Sequence, residues 1–368
     1  MRILVLNYRD ITHPLAGGAE VHLHEVFGRI VKLGHSVMLF TTSYKGALER
    51  ETIDGIDVIR CGSDALFQIN VLRKVPKLIK EFNADIVFED LNKLPLFSPC
   101  IIKLPILIQI QHLWKSSIFR EAFFPIALVV WIGERLIPFI YKNCPFVTAS
   151  PSAFSELREL GVKQEISIVY HGTVLIPQDE YETKDKSLYF MWLGRFRKYK
   201  GVWIALKAFK IFAKKYPDVE LFFAGSGQEE KKMRAKAKEW GLEDRVKFLG
   251  YVDDKEKLKF MSKALALLQT SYKEGWGLTV IEAGGVGTTT IASRVSGLCD
   301  SVKDGETGLL FKAGDFAECA DLMEKIYINP PLREKLESEA KHFASSFDWN
   351  KSARETLDIL SSIVNKNK

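Results

Sequence analysis

Short apolar runs recur along the chain, each followed by a polar or glycine-bearing loop and then by a stretch with helical spacing. Arg2-Ile-Leu-Val-Leu-Asn7 is the first run, and a helical pattern follows from about Glu20 to Leu33. Ser36-Val-Met-Leu-Phe-Thr41, Asp57-Val-Ile-Arg60 and Asp85-Ile-Val-Phe88 repeat the strand signal, as do Ile106-Leu-Ile-Gln-Ile110, Phe146-Val-Thr-Ala149 and Ile166-Ser-Ile-Val-Tyr170. Continuous apolar strands alternating with helices predict parallel sheets covered on both faces.

One stretch breaks the rhythm. From Leu91 to Tyr141 the strand around Ile106 gives way to the aromatic and apolar segment Phe123-Phe-Pro-Ile-Ala-Leu-Val-Val-Trp-Ile132. Glu121 and Glu134 leave only twelve residues between them, short of the ~20 that a membrane-spanning helix needs. Residues 91–147 hold six Lys or Arg, two acids and nine Phe, Trp or Tyr. Two readings stay open for them: a surface that rests on an anionic bilayer, and a buried helix pair inside the first domain.

Pro177-Gln-Asp-Glu-Tyr-Glu-Thr-Lys-Asp-Lys186 is the clearest linker, with seven charged or amide side chains and no apolar period. Beyond it the alternation restarts with strands at 188–193, 219–223, 246–249, 264–268 and 290–292, and helices at 202–215, 228–240, 255–262 and from about Leu278. At 368 residues the chain exceeds one core, since single cores stop growing beyond roughly 250 to 300 residues. The expected fold is therefore α/β, two Rossmann-like doubly wound domains spanning 1–176 and 177–349, with ligands held in a cleft at the carboxyl ends of the strands.

Composition narrows the partners. A net charge of +6 is too diffuse for a nucleic-acid binder and suits phosphate-bearing small molecules or an anionic membrane surface. Cys61, Cys100, Cys144, Cys299 and Cys319 are scattered with no zinc spacing, which predicts buried free thiols in a reducing, cytoplasmic setting. The first apolar run is too short for a signal peptide and reads as a buried strand.

Glu274-Gly-Trp-Gly-Leu-Thr-Val-Ile-Glu-Ala283 carries the most chemistry. Gly275 and Gly277 let the backbone turn tightly beside a ligand, and the helix that begins near Leu278 aims its free N–H groups at a diphosphate. Seven residues separate Glu274 from Glu282, placing one on the loop and the other in the first helical turn, where both could accept hydrogen bonds from sugar or ribose hydroxyls. A second role for Glu282 is compatible with the first: Thr279 as helix cap and Glu282 three residues later would form a capping box.

Gly194-Arg-Phe-Arg-Lys-Tyr-Lys-Gly201 follows a strand and puts Arg195 and Lys200 at a sheet edge, either to neutralise a departing diphosphate or as a solvated basic loop. The sequence contains no Asp-x-Asp pair to bridge a diphosphate through a metal ion. Ala16-Gly17-Gly18-Ala-Glu20 and Ala224-Gly225-Ser-Gly-Gln228 are weaker loops; neither completes Gly-x-Gly-x-x-Gly, which argues against a nicotinamide enzyme. His112 follows a strand and is as compatible with packing as with ligand contact, while His171 near the junction reads as a hinge or packing residue.

Together these segments resemble the retaining GT-B glycosyltransferases of family four, over nearly the full chain. Glu-x7-Glu, Ile291-Ala-Ser-Arg-Val-Ser-Gly297 and Asp304-Gly-Glu-Thr-Gly-Leu-Leu310 carry the likeness, with support from Gly17-Gly18, His112 and the Gly194 to Gly201 loop. The resemblance implies catalytic roles for Glu274, His112, Arg195 and Lys200. It also implies a donor site of Gly17, Gly18, Arg195, Lys200, Gly225, Tyr251, Val252, Glu274, Gly275, Trp276, Gly277, Leu278, Thr279 and Glu282, with no metal. Phe347-Asp-Trp-Asn-Lys-Ser352 resembles the element that carries a last helix, 350–368, back onto the acceptor-side domain. Gly287-Thr-Thr-Thr-Ile291 and Val169-Tyr-His-Gly172 depart from the family pattern without touching the charged residues.

The expected activity is transfer of a glucose- or mannose-type hexose from a UDP- or GDP-linked donor to a glycan or lipid-linked acceptor, with retention, in the cytoplasm, either free or at the inner face of the membrane. Nucleic acid and further cofactors are not expected. A GT-B nucleotide-sugar epimerase and a silent sugar-nucleotide-binding protein are the alternatives.

Overall fold

The computed structural model describes residues 1–92, 94–173 and 186–367, so the linker reading at 177–186 falls outside them except for Lys186. The chain forms two compact units. Unit 1 comprises Met1–Ile118, Phe123–Gly172 and Trp349–Lys368, and unit 2 comprises Phe119–Ala122 and Thr173–Asp348.

In unit 1 the order along the chain is β1 (Arg2–Leu6), α1 (Gly18–Lys32), β2 (Ser36–Thr41), β3 (Arg50–Ile53), β4 (Ile56–Arg60), α2 (Phe67–Phe82), β5 (Ile86–Asp90), β6 (Ile106–Ile110), the short α3 (Ile118–Glu121) at the change of unit, α4 (Phe124–Ile140), β7 (Phe146–Thr148), α5 (Pro151–Leu160) and β8 (Ile166–Ile168). The eight strands line up as β3-β4-β2-β1-β5-β6-β7-β8, parallel except for β3 against β4. Chain order reverses between β1 and β5, because α1 leads one way across the sheet and α2, α4 and α5 lead the other. Right-handed crossovers then put α1 on one face and α2, α4 and α5 on the opposite one. Phe67, Val71, Ile137 and Leu157 from those three helices accordingly share a core with Leu4, Val87 and Ile108 of the sheet.

Unit 2 continues with β9 (Tyr189–Leu193), α6 (Val202–Phe212), β10 (Glu220–Ala224), α7 (Glu230–Glu239), β11 (Val246–Gly250), α8 (Asp254–Lys263), β12 (Leu267–Gln269), α9 (Leu278–Gly285), β13 (Thr290–Ser293), α10 (Leu298–Ser301), β14 (Gly308–Phe311), α11 (Phe316–Ile328) and α12 (Pro330–Ala344). Its six strands are parallel in the order β11-β10-β9-β12-β13-β14. Here the order reverses between β9 and β12, so the loops after those two strands diverge and leave the crevice in which open α/β sheets take ligands.

The last helix, α13 (Trp349–Lys366), belongs to unit 1 and packs on α1. His22 of α1 stacks on His171 with ring centroids 4.2 Å apart, and His171 lies 6.0 Å from the Trp349 ring. Burial drives the His22 pKa down to about 4, and burial together with His22 drives His171 well below the ordinary histidine value. An unfolded chain takes up those protons near pH ~6.5. The histidines' contribution to stability is therefore complete above that pH and is lost, at about 1.4 kcal/mol per pH unit for each, as pH falls toward their folded values. Glu89, whose carboxyl is pushed up to about 7 by burial, acts in the opposite sense because the folded chain binds its proton first. The expected result is thus a difference: from roughly pH 7.5, above the unfolded-chain value, to roughly pH 5.0, inside the window, the wild type loses more urea-unfolding free energy than His22→Phe. Parallel losses in the two proteins would contradict the assignment.

The cysteines are all free, but the expectation of buried thiols holds only in part. Cys144 and Cys319 are buried, whereas Cys100 and Cys299 are exposed on short helical turns, where a small apolar side chain lies at the surface at little cost.

Candidate functional site

The crevice of unit 2 is built by two loops. The loop after β9 carries Arg195, Tyr199 and Lys200, and the loop after β12 carries Ser271 and Glu274. Lys200 Nζ donates to Glu274 Oε1 at 2.6 Å. The same oxygen accepts from Gln269 Nε2 at 3.0 Å and from Ser271 Oγ at 2.7 Å. Three donors on one oxygen fix the plane of the carboxylate. Arg195 Nη2 donates to the Tyr199 hydroxyl at 3.3 Å, and Lys200 Nζ lies 5.2 Å from the Tyr199 ring, so this tyrosine joins the two cations. Burial pulls the Lys200 pKa down, but the neighbouring Glu274 charge outweighs it and holds the ammonium above its ordinary value. Lys200 therefore stays protonated at neutral pH.

Backbone proximity explains Gly225. Its φ of +116° is glycine territory, and a Cβ there would come within 2.1 Å of the Gly194 carbonyl, so the loops after β9 and β10 touch main chain to main chain. Gly225 N donates to the Gly250 carbonyl at 2.6 Å, which sets the chain leading into Tyr251 and Val252. Tyr251 is exposed, and Val252 packs in the small core beside α8.

Gly277 is the N-cap of α9, with φ +86°. Leu278 and Thr279 are the first residues of the helix, where N–H groups have no carbonyl a turn earlier to bond. The capping-box reading of Thr279 and Glu282 is overturned: the cap position is taken by a residue with no side chain, and Glu282 is the fifth residue of α9, in its second turn. The Thr279 hydroxyl is buried, with no hydrogen-bond partner among the described residues. Glu282 instead meets Lys257 Nζ of α8 at 2.9 Å. Burial lifts the Glu282 carboxyl above the usual range against the pull of Lys257. Trp276 points inward and packs edge-on against Phe347, centroids 5.0 Å apart, so its ring is a packing element and Gly275 to Gly277 present backbone.

Unit 1 holds the remaining residues of interest at the same kind of edge. Asn92 Nδ2, after β5, donates to Asn7 Oδ1, after β1, at 2.6 Å and ties together the two loops at the reversal point. Gly17 is the N-cap of α1 and its N–H donates to Glu20 at 2.7 Å, leaving Gly18 as the first helical residue. A Cβ at Gly18 would meet nothing within 4 Å. His112 follows β6, its ring edge-on to Trp114 at 5.2 Å. His171, read from sequence as a hinge or packing residue, is buried in the aromatic stack described above.

Gln269, Ser271, Tyr199 and Lys257 were not among the residues singled out from sequence. A signal existed for the first two: Gln269-Thr-Ser271 is an abrupt polar run at the carboxyl end of an apolar strand, five residues before Glu274.

Each unit is a doubly wound α/β sheet, and unit 2 brings Arg195, Lys200, Glu274 and the N-terminus of α9 to the loops at its reversal point. Residues 16–175 match the family described as Glycosyltransferase Family 4 and residues 177–343 match Glycosyl transferases group 1. The chain belongs to this glycosyltransferase family, and its fold is GT-B. It is similar to the D-inositol 3-phosphate glycosyltransferase of Arthrobacter sp. (strain FB24), 29% identical over 182 residues, a match that covers 48% of this chain and 43% of that relative. The chain thus matches less than half the length of that curated relative. Among solved structures, sucrose-phosphate synthase from Thermosynechococcus elongatus superposes with a TM-score of 0.84 at 19% identity over 99% of both chains. Anabaena HepE in complex with UDP-glucose gives 0.79 at 20% identity, over 98% of this chain and 100% of that one.

Proposed function

We propose that the chain transfers a hexose from a nucleoside-diphosphate sugar to a glycan or lipid-linked acceptor, with retention of anomeric configuration and without a metal ion. The observation that carries this reading is the joining of Lys200, Arg195 and Glu274 in the crevice of unit 2 through Tyr199, Gln269 and Ser271. In the proposed step the bond from the anomeric carbon to the diphosphate oxygen breaks, and a bond to the acceptor oxygen forms on the same face. The acceptor's proton passes to the leaving phosphate oxygen. Arg195, Lys200 and the amides of Leu278 and Thr279 stabilise the charge that builds on the diphosphate, a preorganised arrangement that needs no reorganisation during reaction. Glu274 holds a sugar hydroxyl, Glu282 the ribose, and the backbone at Tyr251 and Val252 the base. For unit 1, family membership and position at the carboxyl ends of β1 and β6 support roles for Gly17, Gly18 and His112 in the same reaction.

Incubation with UDP- and GDP-hexoses and a panel of glycan and lipid-linked acceptors, read by mass spectrometry, tests the reading. The expected result is free nucleoside diphosphate with a glycosylated acceptor of unchanged anomeric configuration, insensitive to chelator. A donor isomerised without acceptor would make the chain an epimerase, and a donor bound but never consumed would make it a binding protein.

A further inference from the structure

Helix α4 has two unlike faces. Ala127, Val130, Gly133, Glu134 and Ile137 are buried against unit 1. Phe123, just before the helix, and Ile126, Val129, Ile132, Leu136 and Phe139 are exposed, from 42% for Leu136 to 76% for Phe123. Steps of three and four residues put the five helical ones on one side of α4, in a stripe about 20 Å long at 1.5 Å per residue, with Phe123 at its N-terminal end. Six large apolar side chains in a continuous row are not the scattered surface apolar residues of an ordinary domain. Of the two readings open for this segment, full burial does not hold for this face: α4 is apolar nearly all round, yet only one side of it meets the core.

The exposed charges on α4 and directly after it are basic. The single acid of α4, Glu134, is buried and accepts from the Trp114 and Lys115 amides. Arg135 and Lys142 are exposed, and the Arg135 guanidinium lies over the Trp131 ring, 3.2 Å from its centroid. On the same face of the sheet, α2 exposes Ile69 and Leu72 together with Arg73, Lys74, Lys77 and Lys80, against one acid, Glu81, which pairs with Lys77. A second copy of this chain seated on the stripe would bring these cations against their own kind. A bilayer with anionic headgroups supplies both an apolar medium and the opposite charge.

We propose that the α4 stripe docks unit 1 on an anionic bilayer surface, its six apolar side chains entering the acyl boundary while Arg135 and Lys142 meet the headgroups. The helix lies in the interface and does not cross it: no helix among the described residues is long and apolar enough to span a membrane. The docking concerns unit 1 alone and does not rest on the donor chemistry of unit 2.

Flotation of the full chain with vesicles of phosphatidylcholine alone, or of phosphatidylcholine with phosphatidylglycerol, tests the proposal. The wild type should float with the phosphatidylglycerol vesicles, and less so in high salt or with phosphatidylcholine alone. Phe123→Ser/Ile126→Ser/Phe139→Ser should lower partitioning by about tenfold or more, given what each apolar side chain gains on leaving water. Arg135→Glu/Lys142→Glu should remove the preference for the anionic vesicles. Both variants should keep the wild-type circular dichroism and affinity for free nucleoside diphosphate, because the altered side chains lie on the surface of unit 1. A wild type that stays with neither vesicle, or a triple serine variant that floats like the wild type, would overturn the proposal. So would a wild-type dimer that the triple variant abolishes without any vesicle binding, which would assign the stripe to a second copy.

Discussion

Lys200→Ala should lower kcat by on the order of 10²-fold or more, an effect of about 2.7 kcal/mol or larger on the barrier. The loss has two parts. In the proposed reaction, one positive charge is removed from the place where the leaving diphosphate gathers negative charge. The ammonium that donates to Glu274 Oε1 at 2.6 Å is also removed, so that oxygen loses one of the donors it shares with Gln269 and Ser271. Lys200→Arg should recover only part of the rate, because a planar fork does not reproduce a compact ammonium reaching one oxygen. Arg195→Ala should cost less, since Arg195 is more exposed and reaches the cluster through the Tyr199 hydroxyl. Steady-state rates at saturating donor measure both, and near-wild-type turnover in the two alanine variants would refute the assignment of leaving-group stabilisation.

Glu274→Ala is expected to cost as much, and in a different parameter pattern from Glu282→Ala. Glu274 is fixed by three donors and lies beside the cations, so its loss should fall on kcat, again by about 10²-fold. Glu282 lies 2.9 Å from Lys257 and one helical turn further from the loop; its loss should chiefly raise the KM for donor. Glu274→Gln discriminates a hydrogen-bonding role from a charge role: if the carboxylate's charge steadies the sugar, the amide recovers little. Equal effects on kcat from both glutamates would contradict the division of labour between them.

Much of this site could be read from the chain. The Glu-x7-Glu segment announces itself because glycines directly after an apolar strand leave few alternatives to a tight turn, and the basic loop stands out for its density of charge. The capping box failed for a local reason: Gly277 takes the cap with φ +86°, a geometry that sequence spacing does not reveal, and Glu282 meets Lys257 instead. Gln269 and Ser271 act through a single shared oxygen on Glu274, and such a convergence of side chains exists only once the loop is folded. The same limit applies to α4. Hydrophobicity around most of a helix reads as burial, and which side lacks a partner depends on the sheet and helices placed beside it. The edge strand β3 escaped notice because Arg50-Glu-Thr-Ile53 is short and mostly polar, as an edge exposed to water allows.

In the proposed reaction Lys200, with Arg195 and the N-terminus of α9, grips the donor diphosphate. Titration calorimetry of UDP and GDP into the wild type and Lys200→Ala tests it without any acceptor. Saturable binding of at least one nucleotide, weakened by about tenfold or more in the variant, is the predicted result, consistent with the loss of one charge-assisted contact. Equal affinity in the two proteins, or no binding of either nucleotide to the wild type, would contradict it.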